Sequence, residues 1–241
     1  MVWTWQPSSG RCPRTENRRR PSRVEEVMDL LTSAFPMLLR GFGVTILLGV
    51  ASFILGSVLG ALIALARISG LRVLRGAAIA YVSVFRGTPL LIQIMVIYFG
   101  LPQLGVQLEP IPSAILALTL FSAAYLSENF RGGILGVDKG QWEAASSIGM
   151  PYGRTFRRIV FPQAIRIATP AVGSRFIALM KDTSLASAVT VVELTRVAES
   201  VGNASFRYME AFLLAGAMYW LINTVLSVGQ GMLEKRLGRA Y

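Results

Sequence analysis

Two stretches of this 241-residue chain, Phe42 to Ala66 and Ala211 to Leu233, contain no charged residue. Each exceeds the roughly 20 residues that carry an α-helix through the hydrocarbon core of a bilayer. Lipid offers no partner for a peptide N–H or C=O, and a helix satisfies its backbone hydrogen bonds within one segment. Both stretches are therefore expected to be transmembrane helices. Composition agrees, since 53% of residues are hydrophobic and only 15% charged, a balance outside the range of soluble domains. The fold class predicted is an all-α membrane protein.

Three further spans are expected between these two. The second, at about 76–100, is interrupted by Arg86-Gly87-Thr88-Pro89, where Thr88 reads as an N-cap and Pro89 as the first helical residue. An interfacial lead-in before a helix is the predicted form. The third covers about 111–130. The fourth, at about 164–192, is irregular, with Pro170 and the pair Lys181-Asp182 inside it.

Lys and Arg are retained on the cytoplasmic side of a membrane, so short loops orient the chain. Arg67, Arg72 and Arg75 fill the first loop; Arg131, Lys139, Arg154, Arg157, Arg158 and Arg166 surround the third; Lys235, Arg236 and Arg239 close the tail. These are expected inside, and the loops around 102–110 and 193–210 outside. Five spans then put the N-terminus outside and the C-terminus in the cytoplasm. The first 27 residues oppose this, because Arg11, Arg14, Arg18, Arg19, Arg20 and Arg23 precede the first span. That segment is polar, contains Pro7, Pro13 and Pro21, and has no apolar run. It reads as a disordered basic arm before a membrane domain at 28–241, with Met28 an alternative start.

Cys12 is the only cysteine and there is no histidine, which excludes intramolecular disulfides, Cys–His nucleophiles and histidine-ligated metals. No phosphate-binding Gly-rich loop ending in Gly-Lys-Ser/Thr occurs, so the chain is not expected to hydrolyse ATP itself. The net charge of +11 follows from positive-inside loops. Aromatic residues are not interleaved with the basic clusters as nucleic-acid binding would need.

Between spans three and four lies Glu143-Ala144-Ala145, then Gly149, Ile159 and Phe161-Pro162. Gln141 to Ile148 is a helix-forming run with small residues, Gly149 supplies a bend and Pro151 suits the first turn of a second helix. Arg154, Arg157 and Arg158 make a basic face at helical spacing, fit for anionic headgroups or acidic partner residues. The stretch resembles the coupling loop of the membrane subunits of ATP-binding-cassette importers. Every spacing of the pattern holds, with Phe161 in place of Leu. Phe85-Arg86-Gly87-Thr88-Pro89-Leu90-Leu91, Ser122-Ala123-Ala124-Tyr125 with Glu128 and Arg131-Gly132-Gly133-Ile134, and Lys181-Asp182-Thr183-Ser184-Leu185 narrow the resemblance to polar amino acid permease subunits. The resemblance implies a type I importer permease with five transmembrane helices in a bacterial inner membrane. It also implies cytoplasmic coupling helices at 138–162, with Glu143, Ala144, Ala145, Gly149, Ile159 and Pro162 facing an ATPase. The partners would be a second permease, identical or paralogous, two ATPase subunits that bind the ATP, and an extracytoplasmic binding protein. No cofactor of its own and no catalytic residue are implied.

Charges at membrane depth need a partner or a task. Glu128, Lys181 and Asp182 are the candidates for binding a zwitterionic amino acid. Glu128 or Asp182 would take the ammonium, and Lys181 the carboxylate with the Thr183 and Ser184 hydroxyls; Tyr125 joins them as a lining candidate. The alternative is that Lys181 and Asp182 pair with neighbouring helices and only hold the bundle. Arg86 and Arg131 are expected to anchor at headgroups, and Gln93 and Asn223 to bond between helices. Gly41, Gly43, Gly49, Gly56 and Gly60 give span one small faces for close packing. A transporter or channel driven by an ion gradient is the alternative function.

Overall fold

The computed structural model describes residues 23–238, including the side chains of residue 32 and of residues 34–238. Arg239 and residues 1–22 of the expected basic arm lie outside them, while residues 23–27 open the first helix. The helices are α1 (Arg23–Ile68), α2 (Arg72–Gly87), α3 (Leu90–Met95), α4 (Pro110–Leu135), α5 (Lys139–Ser147), α6 (Tyr152–Thr155), α7 (Phe161–Asp182), α8 (Leu194–Ser205) and α9 (Tyr208–Gly238). No strand occurs among the described residues.

Helices α1 and α4 run side by side in the same direction. Ser52 donates to the Ile115 carbonyl at 3.4 Å, and farther along both helices Arg67 pairs with Glu128. A Cβ at Gly41, Gly49, Gly56 or Gly60 would crowd a neighbouring segment, whereas Gly43 faces open space. Helix α7 returns antiparallel to α4, and Gly133 permits the approach: a Cβ there would lie 2.6 Å from the Ala164 carbonyl oxygen. Helix α9 runs back beside α7, with Gln230 donating to the Pro170 carbonyl at 3.0 Å and to Ser174 at 3.2 Å. The C-terminal ends of α1, α4 and α9 thus meet the N-terminal end of α7. That end carries Arg67, Arg131, Lys139, Arg154, Arg157, Arg158, Lys235 and Arg236.

Among the described residues, α1 over Ala34–Ile68, α4 and α9 are long and apolar enough to cross a membrane. Helix α2 with Leu90–Leu104 makes a fourth if the two count as one broken span, bent by 106°. The break corrects one expected detail. Thr88 ends α2 with extended backbone and Pro89 occupies the cap position of α3, because a residue before proline is pushed out of the helical region. Gln93 closes the break, donating to the carbonyls of Phe85 at 2.9 Å and Thr88 at 3.1 Å. Asn223 donates within its own helix, to the Tyr219 carbonyl at 2.7 Å.

The fourth expected span differs more. Its α-helix ends at Asp182, and Thr183–Val189 form a 3₁₀ run. Thr183, Ser184 and Ser187 each donate to a carbonyl three residues back at 2.8 Å, a local competition that tightens a helix end. Helix α7, with Arg166, Arg175, Lys181 and Asp182 along it, is not among the apolar helices named above.

The segment after it is no open loop. Leu194, Val197, Ala198 and Val201 of α8 pack on Ala34 and Leu38 of α1 and Ala211 and Ala215 of α9. Glu193 caps α8 and is fully buried. Its carboxylate accepts from the N–H groups of Thr195 and Arg196 at 2.9 and 2.8 Å and from the Tyr219 hydroxyl at 2.8 Å. The pattern Leu194, Val197, Ala198, Val201 carries the helical period, and an acidic residue directly before it was the available sign of a cap.

Candidate functional site

Two sets of residues stand out, one at the basic end of the bundle and one along α4 and α7. At the basic end, Asp138 caps α5 by accepting from the Gly140 N–H at 2.7 Å. The helix stops in a reciprocal turn: Gly149 N–H donates to the Ser146 carbonyl at 2.9 Å, and Met150 N–H to the Ala145 carbonyl at 3.0 Å. These are the two bonds of a glycine-terminated helix end, and Gly149 has a φ of 73°, which a side chain makes costly. Pro151 precedes α6 as its cap residue, one position earlier than expected, and its carbonyl accepts from the N–H groups of Arg154 and Thr155. Pro151 still serves the turn because its extended backbone leads out of the glycine bend.

Helix α6 passes through a π turn at Phe156–Val160 into α7. Trp142 stacks on Tyr152 with ring centroids 5.1 Å apart, and Val137, Val160 and Ala164 form a small core beneath, with Trp142 and Phe156 packed against it. This core fixes the angle of α5 to the bundle. Ala145 is buried, Ile159 half-buried, and Glu143, Ala144, Gly149 and Pro162 are exposed. Ile148 is 76% exposed. Arg154, Arg157 and Arg158 are exposed as well. The helix pair is thus held from below and presents small, apolar and charged side chains outward.

The second set centres on Glu128. Its carboxylate pairs with Arg67, with Arg131 at 2.9 Å and with Arg86 at 3.4 Å. Arg86 and Arg131 therefore turn inward to this carboxylate instead of reaching for headgroups. Three guanidiniums against one carboxylate leave a local surplus of positive charge. Arg86 also lies over the Tyr125 ring at 5.1 Å. On the other side, Arg175 lies 4.9 Å from Tyr125 and 5.0 Å from Phe121 and pairs with Asp182 at 2.9 Å. Tyr125 thus joins the two ion clusters, a use of the ring face that suits arginine.

The fold brings Tyr125, Glu128 and Asp182 into one chain of contacts and leaves the other candidates apart. Asp182 pairs with Arg175 rather than with the adjacent Lys181, which is exposed and in no ion pair among the described residues. Neighbours in a helix point in different directions, whereas residues seven apart share a face. Thr183 is buried with its hydroxyl donated to the Met180 carbonyl, and Ser184 donates to the Lys181 carbonyl. Arg175 is the residue that sequence reasoning missed. The sign was its seven-residue spacing to Asp182, with Phe121 and Tyr125 four apart on the facing helix.

Residues 56–239 match the family described as binding-protein-dependent transport system inner membrane component. A probable amino-acid ABC transporter permease protein, YckA, of Bacillus subtilis (strain 168) is 41% identical over 86% of this chain and 92% of its own. The L-cystine transport system permease protein TcyB of the same organism is 44% identical over 88% of this chain and 91% of its own. A crystal structure of an amino acid ABC transporter with histidines is similar at a TM-score of 0.83 and 33% identity, covering 86% of this chain and 96% of that one. The chain belongs to the family of binding-protein-dependent inner-membrane transport components.

Proposed function

We propose that this protein is the membrane permease subunit of an ATP-driven amino acid importer, forming the translocation path while partner ATPase subunits hydrolyse the ATP. The observation that carries the reading is the outward-facing helix pair from Glu143 to Pro162, braced on Trp142 and ending α5 at a positive-φ glycine. Its exposed Glu143, Ala144 and Ile148 have the size and chemistry to seat in a groove of an ATPase. The names of the amino-acid transport relatives support the substrate class.

In this reading the basic end faces the cytoplasm, the chain crosses the membrane five times, and α2 with Leu90–Leu104 and α7 with Thr183–Val189 supply the irregular crossings. A second permease subunit, identical or paralogous, covers exposed faces of the bundle. An extracytoplasmic binding protein delivers the amino acid at the opposite end. ATP-driven closure of the ATPases moves the helix pair, and because α6 runs into α7, that motion reaches Arg175, Lys181 and Asp182 directly. Lys181 receives the substrate carboxylate and Asp182 or Glu128 the ammonium, with Tyr125, Thr183 and Ser184 around them. An incoming ammonium replaces a guanidinium on the acidic group it meets, so binding and rearrangement are one event.

The test is ATPase activity of the reconstituted complex with its binding protein against a panel of amino acids. Stimulation by a subset of polar amino acids is expected; no stimulation by any amino acid would overturn the substrate assignment.

A further inference from the structure

A deep cleft of about 850 Å³ runs beside α7 from Phe161 to Ile177, between α1, α4 and α9. At about 1.5 Å per residue that is roughly 24 Å, compared with about 15 Å for one leaflet of a 30 Å hydrocarbon core. Its walls are almost wholly apolar, with Phe53, Phe130, Phe176 and Val225 among them. Of its polar lining residues, Thr169 donates to the Ile165 carbonyl and Gln230 to Pro170, Ser174 and Glu234. No charged side chain lines it, so it offers a zwitterion no ionic partner. The cleft opens sideways past Val225 and Leu233, which are 61% and 48% exposed.

Arg236 follows Leu233 by three residues on α9 and so continues that lining stripe by one turn, and Arg158 lies in the π turn between the lining residues Phe156 and Phe161. Both are exposed and neither pairs with a carboxylate among the described residues. Glu234, the acidic neighbour, accepts from Gln230 at 2.7 Å.

We propose that this cleft binds an anionic phospholipid, with an acyl chain between α1, α7 and α9 and the phosphate at Arg158 and Arg236. An apolar slot with basic residues at its rim matches that amphiphile. The slot ends beneath Phe156, in the π turn that joins α6 to α7, so an occupying chain would support the segment linking the exposed helix pair to the bundle. The inference requires only that the chain lies in a bilayer, whatever it transports.

The test uses the assembled complex in nanodiscs containing phosphatidylglycerol or phosphatidylcholine with a photoreactive group in the acyl tail, with the labelled residues mapped. Labelling of cleft residues on α7 and α9 should favour phosphatidylglycerol by roughly 5- to 30-fold, the preference two arginines near a surface can supply. Arg236→Gln together with Arg158→Gln should bring it down to the phosphatidylcholine level. A Cβ at Gly229, a lining residue, meets no atom within 4 Å, so the side chain of Gly229→Leu starts into open space and should abolish cleft labelling in both lipids. Uniform labelling around α9 that ignores Gly229→Leu would overturn the proposal. So would a disulfide joining Gly229→Cys to a cysteine on a partner's helix, which would mean that protein rather than lipid fills the slot.

Discussion

The helix pair from Glu143 to Pro162 lies at the basic end of the bundle and the ion chain from Glu128 to Asp182 runs along α4 and α7, and they use charge in opposite ways. In the helix pair the apolar residues hold the structure from below while Glu143, Arg154, Arg157 and Arg158 point away with no ion pair among the described residues. In the ion chain both carboxylates are matched internally, Glu128 by three arginines and Asp182 by Arg175. On the proposed reading, the surface that leaves its charges unmatched is completed by another molecule. A path that matches its own charges opens to a charged solute only by exchange of one partner for another.

The largest effect should fall on the surface that needs a partner. Gly149→Leu places a side chain at a φ of 73°, costing about 1–2 kcal/mol locally, and its Cβ meets no atom of this chain within 4 Å. The protein should therefore reach the membrane in normal amount while uptake falls to background. Normal uptake by this variant would dissolve the contrast, since the bend would then be dispensable.

Asp182→Asn within the ion chain and Lys181→Met beside it should each raise the substrate concentration for half-maximal stimulation by roughly 10- to 150-fold, from about 1.5–3 kcal/mol for a charge-assisted hydrogen bond. Combining Asp182→Asn with Arg175→Met removes the unpaired guanidinium, so thermal stability should recover while transport stays impaired. Recovery of transport in the double variant would reduce Asp182 to an anchor for Arg175.

Glu128→Gln should act on stability first, because it strands Arg67, Arg86 and Arg131 around a neutral amide. The loss should be at most about 3 kcal/mol, below that of a fully buried pair since the carboxylate is partly exposed. A lowered unfolding temperature of the purified complex, partly restored by adding Arg67→Gln, is the expected reading. The smallest effects separate packing from site: Gly133→Ala should cost about 1–3 kcal/mol through its contact with Ala164, and Gly43→Ala less than about 0.5 kcal/mol. Both are read from unfolding curves.

Much of this was legible in the sequence for physical reasons that can be named. The apolar runs of α1 and α9 announce themselves because lipid tolerates no charge along a whole helix, and the glycine bend at Gly149 because its spacing to Glu143 and Pro162 is fixed by two short helices. The broken second span was visible in Thr88-Pro89, though not which residue would serve as cap. The course of 183–205 was not read, because Thr183, Ser184 and Ser187 end α7 through hydroxyl-to-carbonyl bonds that a hydropathy reading does not register. Glu193 was hidden for a related reason: an acidic residue beside Arg196 and Glu199 reads as surface until the cap and the Tyr219 hydroxyl are seen to hold it inside. The pairing within the ion chain depends on helix phase, which sets Asp182 on the face of Arg175 rather than of the adjacent Lys181.

The account rests on transport being driven by ATP through the exposed helix pair. The direct measurement is amino acid uptake into proteoliposomes holding the full complex, with ATP supplied to the ATPase side and ion gradients collapsed by ionophores. The account predicts that uptake persists without gradients, stops without ATP, and is lost in Gly149→Leu although the complex is present. Uptake that follows an imposed ion gradient and continues in the absence of ATP would contradict it.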